Sequence, residues 1–271
     1  MIDYDTALHA FQTYVKNYDA NDGKVRLKIV HTMKVAELSE MIAKGIGMDE
    51  ENVQLAKVIG LLHDIGRFEQ LRRFHDFRDY LTVDHAQLGV EILKENHLIR
   101  SFVEDEKYDD IIFQAISNHN KYAIADGLNK NTLTHAKIIR DADKTDIFRV
   151  HIEDPVDDFL FIKEDEIKQS KISKEIEKQF YEGHCIASGG RKSAADVYVM
   201  RLAFMYDVNY VPALEYIQKQ NYLRRMIDRI GFENPDTIHT FDAMLQTIEK
   251  NMKKRDPSYI VVGKNKSRCF K

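Results

Sequence analysis

Apolar residues recur at spacings of three and four along nearly the whole chain, the period of amphipathic helices and not of strands. The pattern predicts helices over roughly 3–17, 24–44, 50–63, 83–96, 108–119 and 133–150. In the second, Val25, Ile29, Met33, Ala36 and Met41 make an inward face, while Lys28, Lys34, Glu37 and Lys44 stay wet. "GIG" at 45–47 ends it, and the next helix opens on acidic residues, where the helix dipole favours them. That third helix runs into "VIGLLHDIGRFEQ" (58–70), with Gly66 as its expected terminator. His63 and Asp64 thus stand at the end of a buried apolar run. Such groups resist burial unless something pairs with them, so the rest of the chain has to supply partners.

Beyond Pro155 the pattern continues without obvious chemistry. Residues 164–180 read as one amphipathic helix carrying Ile167, Ile172, Ile176 and Phe180, followed by the loop "GHCIASGGRKS". Its "SGGRKS" lacks the spacing of a phosphate loop and no strand precedes it, so it reads as a connection between helices. Further helices are expected within 193–206 and 215–230, and another after Asn234, a good N-cap, with Pro235 in the first turn. Residues 257–271 read as an edge strand or a frayed tail. Four prolines and twelve glycines in 271 residues fit an all-α fold: a helical core at 1–150 and a C-terminal helical region at 151–271, which could equally be continuous with it.

Composition narrows the function. A net charge of -4 excludes a general nucleic-acid coat but leaves room for a local basic pocket. Cys185 and Cys269, far apart, offer neither a disulfide framework nor a thiolate metal site, and suit a reducing compartment. The N-terminus is amphipathic and acidic, and no 18 apolar residues run together, so the expectation is a cytoplasmic protein without a membrane span.

Candidate ligands appear in order along the first 150 residues: His31, His63, Asp64, His85, His119 and Asp143. Imidazoles and carboxylates without thiolates suit iron, manganese, zinc, cobalt, nickel or magnesium. Six exceed the needs of one tetrahedral ion and could serve two if a carboxylate bridges. Taken singly, each has a plainer reading. His31 could be a hydrogen-bonded core residue, His85 part of a helix N-terminus after Thr82 and Asp84, and His119 a helix C-terminus. Asp143 competes with Asp141 and Asp146.

Taken in order, His31, the doublet in "LLHDIGR", "HAQLGVEIL", "NHN" and "RDADK" resemble the HD superfamily of metal-dependent phosphohydrolases, over about 24–150. The resemblance implies an HD-domain helical bundle with a C-terminal helical extension. It implies that His31, His63, Asp64 and Asp143 hold one ion, and that Asp64 bridges to a second completed by His85 and His119. The branch with a Gly-Tyr-Pro signature usually has two adjacent histidines where this chain has Asn118-His119, and no such signature occurs here. The set resembles branches that hydrolyse nucleotides such as diadenosine tetraphosphate, and equally the branch whose di-iron site activates oxygen.

The implied chemistry is attack on phosphorus by a metal-activated hydroxide, with Asp64, Arg67 and Lys144 as the catalytic groups. Its substrate would be a nucleotide or another small phosphorylated molecule, cleaved at a phosphomonoester, phosphodiester or phosphoanhydride. Arg67 and Lys144 are candidate phosphate cations, joined by Arg72, Arg73, Phe77 and Arg78 of the linker "RFEQLRRFHDFRDYLTVDH" and by Lys121. Alternatively, ion pairs with Glu69, Asp76 and Asp79 merely tie this linker down. Two other functions stand beside the hydrolase: a di-iron oxygenase, and a silent nucleotide sensor that reports to a partner.

Overall fold

The computed structural model describes residues 2–160 and 162–254, and among them every regular element is helical, the all-α fold expected. The chain forms two compact units, Met1–Asp146 and Ile147–Lys271. The first holds α1 (Tyr4–Val15), α2 (Gly23–Gly45), α3 (Glu50–Leu62), α4 (Ile65–Phe74), α5 (His85–Lys94) and α6 (Asp109–His119), and most of α7 (Lys130–Glu153).

α1, α2, α3 and α5 each start at an aspartate whose side chain accepts backbone N–H groups left over in the first turn: Asp3, Asp22, Asp49 and Asp84. α2 and α3 lie in close contact because Gly60 has no side chain. A Cβ there would stand 2.8 Å from the Ala36 Cα. The buried side of α2 is rotated from the one its spacing predicts. Val25 and Ala36 are buried as expected, but so are Leu27, His31, Thr32, Val35, Leu38, Ser39, Ile42 and Ala43, while Ile29, Met33 and Met41 stay partly exposed. Lys28 does not stay wet either, and its side chain is only 15% exposed.

The stretch from Arg67 to Phe74, expected to belong to an open linker, is helical. Its Phe68 ring is buried in the core, 5.9 Å from that of Phe11. Helix formation there follows from the apolar positions Ile65, Phe68 and Leu71, three apart and all buried.

The second unit contains the rest of α7 with α8 (Val156–Phe159), α9 (Glu164–Lys168), α10 (Lys174–Tyr181), α11 (Ala194–Ala203), α12 (Val211–Lys219), α13 (Tyr222–Ile230) and α14 (Pro235–Lys253). The single helix expected over 164–180 is two, because buried Asp196 accepts the backbone N–H and hydroxyl of Ser173 and fixes a new start there. The helix expected over 215–230 is also two, broken at Asn221, whose φ of 50° lies in the left-handed region that asparagine tolerates. Asn234 caps α14 as predicted. The tail at 257–271, with Cys269, lies outside the described residues; Cys185 is buried, its thiol directed at the Ala203 carbonyl.

Two buried histidines make stability depend on pH. His135 Nε2 donates to Asn52 Oδ1, 3.1 Å away, and burial holds the ring down at about 4 against the pull of Asp49. In the other unit, burial and then the Arg201 charge hold His151 at about 3. Their unfolded counterparts take a proton near 6.5, so the unfolded state binds more protons between that pH and the folded values. Stability therefore falls as pH drops through this window, by about 2 kcal/mol per histidine at pH 5. Urea unfolding at pH 7 and pH 5 is expected to show the loss, and His135→Gln to reduce it.

Candidate metal centre

The doublet does not close its helix at a glycine. α3 stops at Leu62, His63 caps it, and Asp64 (φ −105°, ψ 15°) turns the chain before α4 begins at Ile65. Gly66 lies inside α4 and serves another purpose. A Cβ on it would stand 2.2 Å from the His85 carbonyl oxygen and 2.6 Å from the Gly89 nitrogen. α4 and α5 thus meet backbone to backbone, which brings His85, the first residue of α5, beside Asp64.

His63 adjoins Asp64 in the chain, and the other expected ligands converge on it from α2, α5, α6 and α7. On one side of the carboxylate, Oδ2 lies 3.6 Å from His31 Nε2 and 3.5 Å from His63 Nε2. Asp143 Oδ1 adds to this group, 3.1 Å from His31 Nε2 and 3.8 Å from His63 Nε2. On the other side, Oδ1 lies 3.3 Å from His85 Nε2 and 3.8 Å from His119 Nε2, and those two nitrogens are 3.0 Å apart. The four rings and Asp64 are all buried. Each triad, His31–His63–Asp64 and Asp64–His85–His119, offers ligand atoms within 4.8 Å of one another.

The outer nitrogens set the tautomers. His63 Nδ1 donates to the Gly60 carbonyl and His119 Nδ1 to the Ile116 carbonyl, both at 2.7 Å. His31 Nδ1 meets Asp146 Oδ2 at 2.7 Å, and His85 Nδ1 meets Asp79 Oδ2 at 2.6 Å. These partners accept, so each Nδ1 carries a proton, and any of these rings that is neutral turns its Nε2 lone pair inward. Outward acceptors orienting inward imidazoles are the usual support of metal-ligating histidines. The contest among the aspartates of α7 is thereby decided: Asp143 faces the cluster, and Asp146 holds the outer face of His31. Asp141 is fully buried, and its backbone carbonyl accepts from the Thr145 hydroxyl.

Positive and hydrogen-bonding neighbours hold the buried carboxylates of the cluster ionised. Burial would raise Asp64, but Lys28, His63, His119 and His85 hold it well below the usual carboxylate range. Asp143 is likewise lowered, burial being outweighed by His31 and His63. Burial and Lys28 push His31 down, yet hydrogen bonds to Asp143 and Asp146 carry it to about 9. Burial dominates at His63, which falls to about 3 against the attraction of Asp64. A proton on His31 and the Lys28 ammonium balance the carboxylates where a cation of higher charge would fit: buried nitrogen and oxygen donors, inward lone pairs and anionic oxygens match a divalent ion.

Lys28 escaped the sequence reading. Its Nζ lies 2.7 Å from Asp64 Oδ2 and 5.4 Å from the centre of the Phe77 ring. Its position one turn before His31 on α2 was the available signal. On the other side of Asp64, Arg67 Nε is 3.6 Å from Oδ1, and the guanidinium carbon lies 5.7 Å from the same ring. Lys28 and Arg67 therefore stand at the two oxygens of Asp64, with Phe77 against both. The remaining basic candidates are engaged otherwise. Arg72 and Arg73 bind Glu69, Arg78 binds Asp76, and Lys121 pairs with the Asp84 carboxylate. Lys144 is buried next to Asp143 on α7. For Arg72, Arg73 and Arg78 these are the ion pairs of the alternative reading, which tie the segment down.

Compared with known protein families, residues 29–147 match the family described as HD domain. This chain carries an HD domain. All six expected ligands fall inside the matched segment, and Lys28 lies one residue before it. The match agrees with the resemblance that the ordered histidines and aspartates bear to the HD superfamily. Among curated proteins, ribonuclease Y from two strains of Staphylococcus epidermidis is 35% identical to it over 96 residues. That alignment covers 34% of this chain and 16% of the relative, so the chain spans about a sixth of the length of the curated relatives it matches. No solved structure matches. Among the described residues, no helix is long and apolar enough to cross a membrane.

Proposed function

We propose that the protein hydrolyses a phosphoester or phosphoanhydride of a nucleotide or similar small molecule at the Asp64 cluster. The observation that carries this reading is that the two oxygens of Asp64 face separate histidine pairs, each with its nitrogen lone pairs turned inward. His31, His63, Asp64 and Asp143 would hold one divalent ion, and Asp64, His85 and His119 a second. Bound there, such ions lower the pKa of water toward neutrality and neutralise phosphoryl charge.

The chain's own residues do the rest. Lys28 and Arg67 flank the bridging carboxylate and offer charge-assisted hydrogen bonds to non-bridging phosphoryl oxygens. The Phe77 ring beside both cations limits water on that side and offers a face for a base. The outer acceptors, Gly60 O, Ile116 O, Asp146 and Asp79, keep the four imidazoles aimed. Likeness to a ribonuclease over part of the chain supports a nucleotide as the phosphorylated substrate.

Elemental analysis of the purified protein, combined with a phosphate-release screen over nucleotides with iron, manganese, cobalt, zinc, nickel and magnesium, tests the reading. Chelation is expected to abolish release, and return of the metal to restore it. Turnover that requires oxygen and releases no phosphate would overturn it in favour of a di-iron oxygenase; nucleotide binding without turnover would favour a sensor. Lys28→Met is expected to lower kcat/KM by about 10–100-fold, as loss of a charge-assisted contact to the phosphoryl group predicts. Phosphate-release kinetics at subsaturating substrate measure that loss, and Lys28→Arg should recover part of it.

A further inference from the structure

Asp79 touches both a histidine of the second triad and the arginine beside Asp64. It begins the short helical turn Asp79–Leu81, between α4 and α5, and its two oxygens have different partners. Oδ2 accepts from His85 Nδ1 at 2.6 Å and from Asn120 Nδ2 at 3.2 Å. Oδ1 accepts from an Arg67 terminal nitrogen at 2.7 Å and from Gln70 Nε2 at 3.0 Å. The same Arg67 nitrogen donates to the Phe77 carbonyl at 2.6 Å and to Gln70 Oε1 at 2.8 Å. Gln70 in turn donates to Thr82 Oγ1 and to the Val83 carbonyl. One carboxylate thus aims an inward-facing histidine of the second triad and holds the arginine that stands at the same oxygen of Asp64, Oδ1.

We infer that Asp79 is a positioning residue that couples cation binding at the Asp64–His85–His119 triad to phosphate binding by Arg67. The inference rests on the proposed metal reading and adds a dependence to it. Aiming of His85 Nε2 requires the acceptor on its Nδ1, and such outer partners change metal affinity about 10–100-fold when removed. Arg67 reaches Asp64 only with Nε, because its terminal nitrogen is committed to Asp79 and the Phe77 carbonyl. A phosphate that draws on Arg67 therefore acts on the same carboxylate that orients His85. By linkage, whatever phosphate does to the second cation, that cation does to phosphate. The first triad, held by Asp146 and the Gly60 carbonyl, does not touch Asp79.

Titration of the metal-free protein with Co2+, followed by visible absorption and calorimetry with and without inorganic phosphate, tests this. The wild-type protein is expected to take two equivalents, the weaker tightened at least threefold by phosphate. In Asp79→Asn, the weaker phase is expected to lose about 10–100-fold, the tighter phase to stay within threefold, and the phosphate effect to vanish. Arg67→Ala leaves the Asp79–His85 contact in place. It is expected to abolish the phosphate effect while two Co2+ phases remain and the tighter stays within threefold of wild type, which keeps the test open if Asp79→Asn fails to fold. Unchanged phases in Asp79→Asn, equal weakening of both, or a phosphate effect that survives in Arg67→Ala each overturn the coupling. Wild-type protein that binds no Co2+ overturns the metal reading itself, and the coupling with it.

Discussion

Asp64→Asn is expected to reduce phosphate release by at least about 10³-fold, the scale at which a group that organises transition-state charge is lost. The substitution keeps volume and one acceptor oxygen, so the helix break between α3 and α4 has no steric reason to collapse. What it removes is the negative charge that both histidine pairs share. Bound metal should fall from two equivalents to at most one, because an amide cannot bridge two cations as a carboxylate does. The Lys28 ammonium, now 2.7 Å from a carboxylate oxygen, would lose its counter-charge and turn toward water. Metal content, circular dichroism and release kinetics on one preparation separate these effects. Full turnover in Asp64→Asn would sink the proposed site.

Gly66→Ala is expected to destabilise the protein by about 3 kcal/mol, the upper end of the range for inserting one methyl group into a filled space. The added carbon would meet the His85 carbonyl oxygen at 2.2 Å and the Gly89 nitrogen at 2.6 Å. Both are backbone atoms within one turn of α5, so no side-chain rotation relieves the contact and a helix has to shift. That shift carries His85 away from Asp64, so the weaker Co2+ phase should suffer together with stability. Urea unfolding measures the first effect and Co2+ titration the second. A midpoint within error of wild type would mean that α4 and α5 do not meet as described.

Most helices, and the histidines and aspartates that the fold brings together, were legible in the chain, because the 3.6-residue period and the titratable residue types are local properties. The reading failed where tertiary contacts overrode local pattern. Gly66 looks like a helix terminator in sequence, but it permits two backbones to touch. Residues 67–74 look like a basic linker because Arg72 and Arg73 dominate their composition. Phe68 and Leu71 bury that stretch as a helix, and Glu69 takes up both arginines. Lys28 was assigned to water by its place on a polar stripe, and only the folded chain brings Asp64 and Phe77 to it.

By itself the sequence pointed to four histidines and two aspartates at or near the buried ends and faces of helices, and its resemblance to the HD superfamily gave Asp64 the expected bridging role. Tertiary structure decided which oxygen of Asp64 meets which pair, which aspartate of α7 faces inward, and that Asp79 serves both His85 and Arg67. The reason is physical. Periodicity fixes the face on which a side chain emerges to within a turn, whereas a site of this kind depends on ångström-scale distances between helices far apart in the chain. Those distances are set by contacts such as Gly66 against α5, which leave no mark on local pattern.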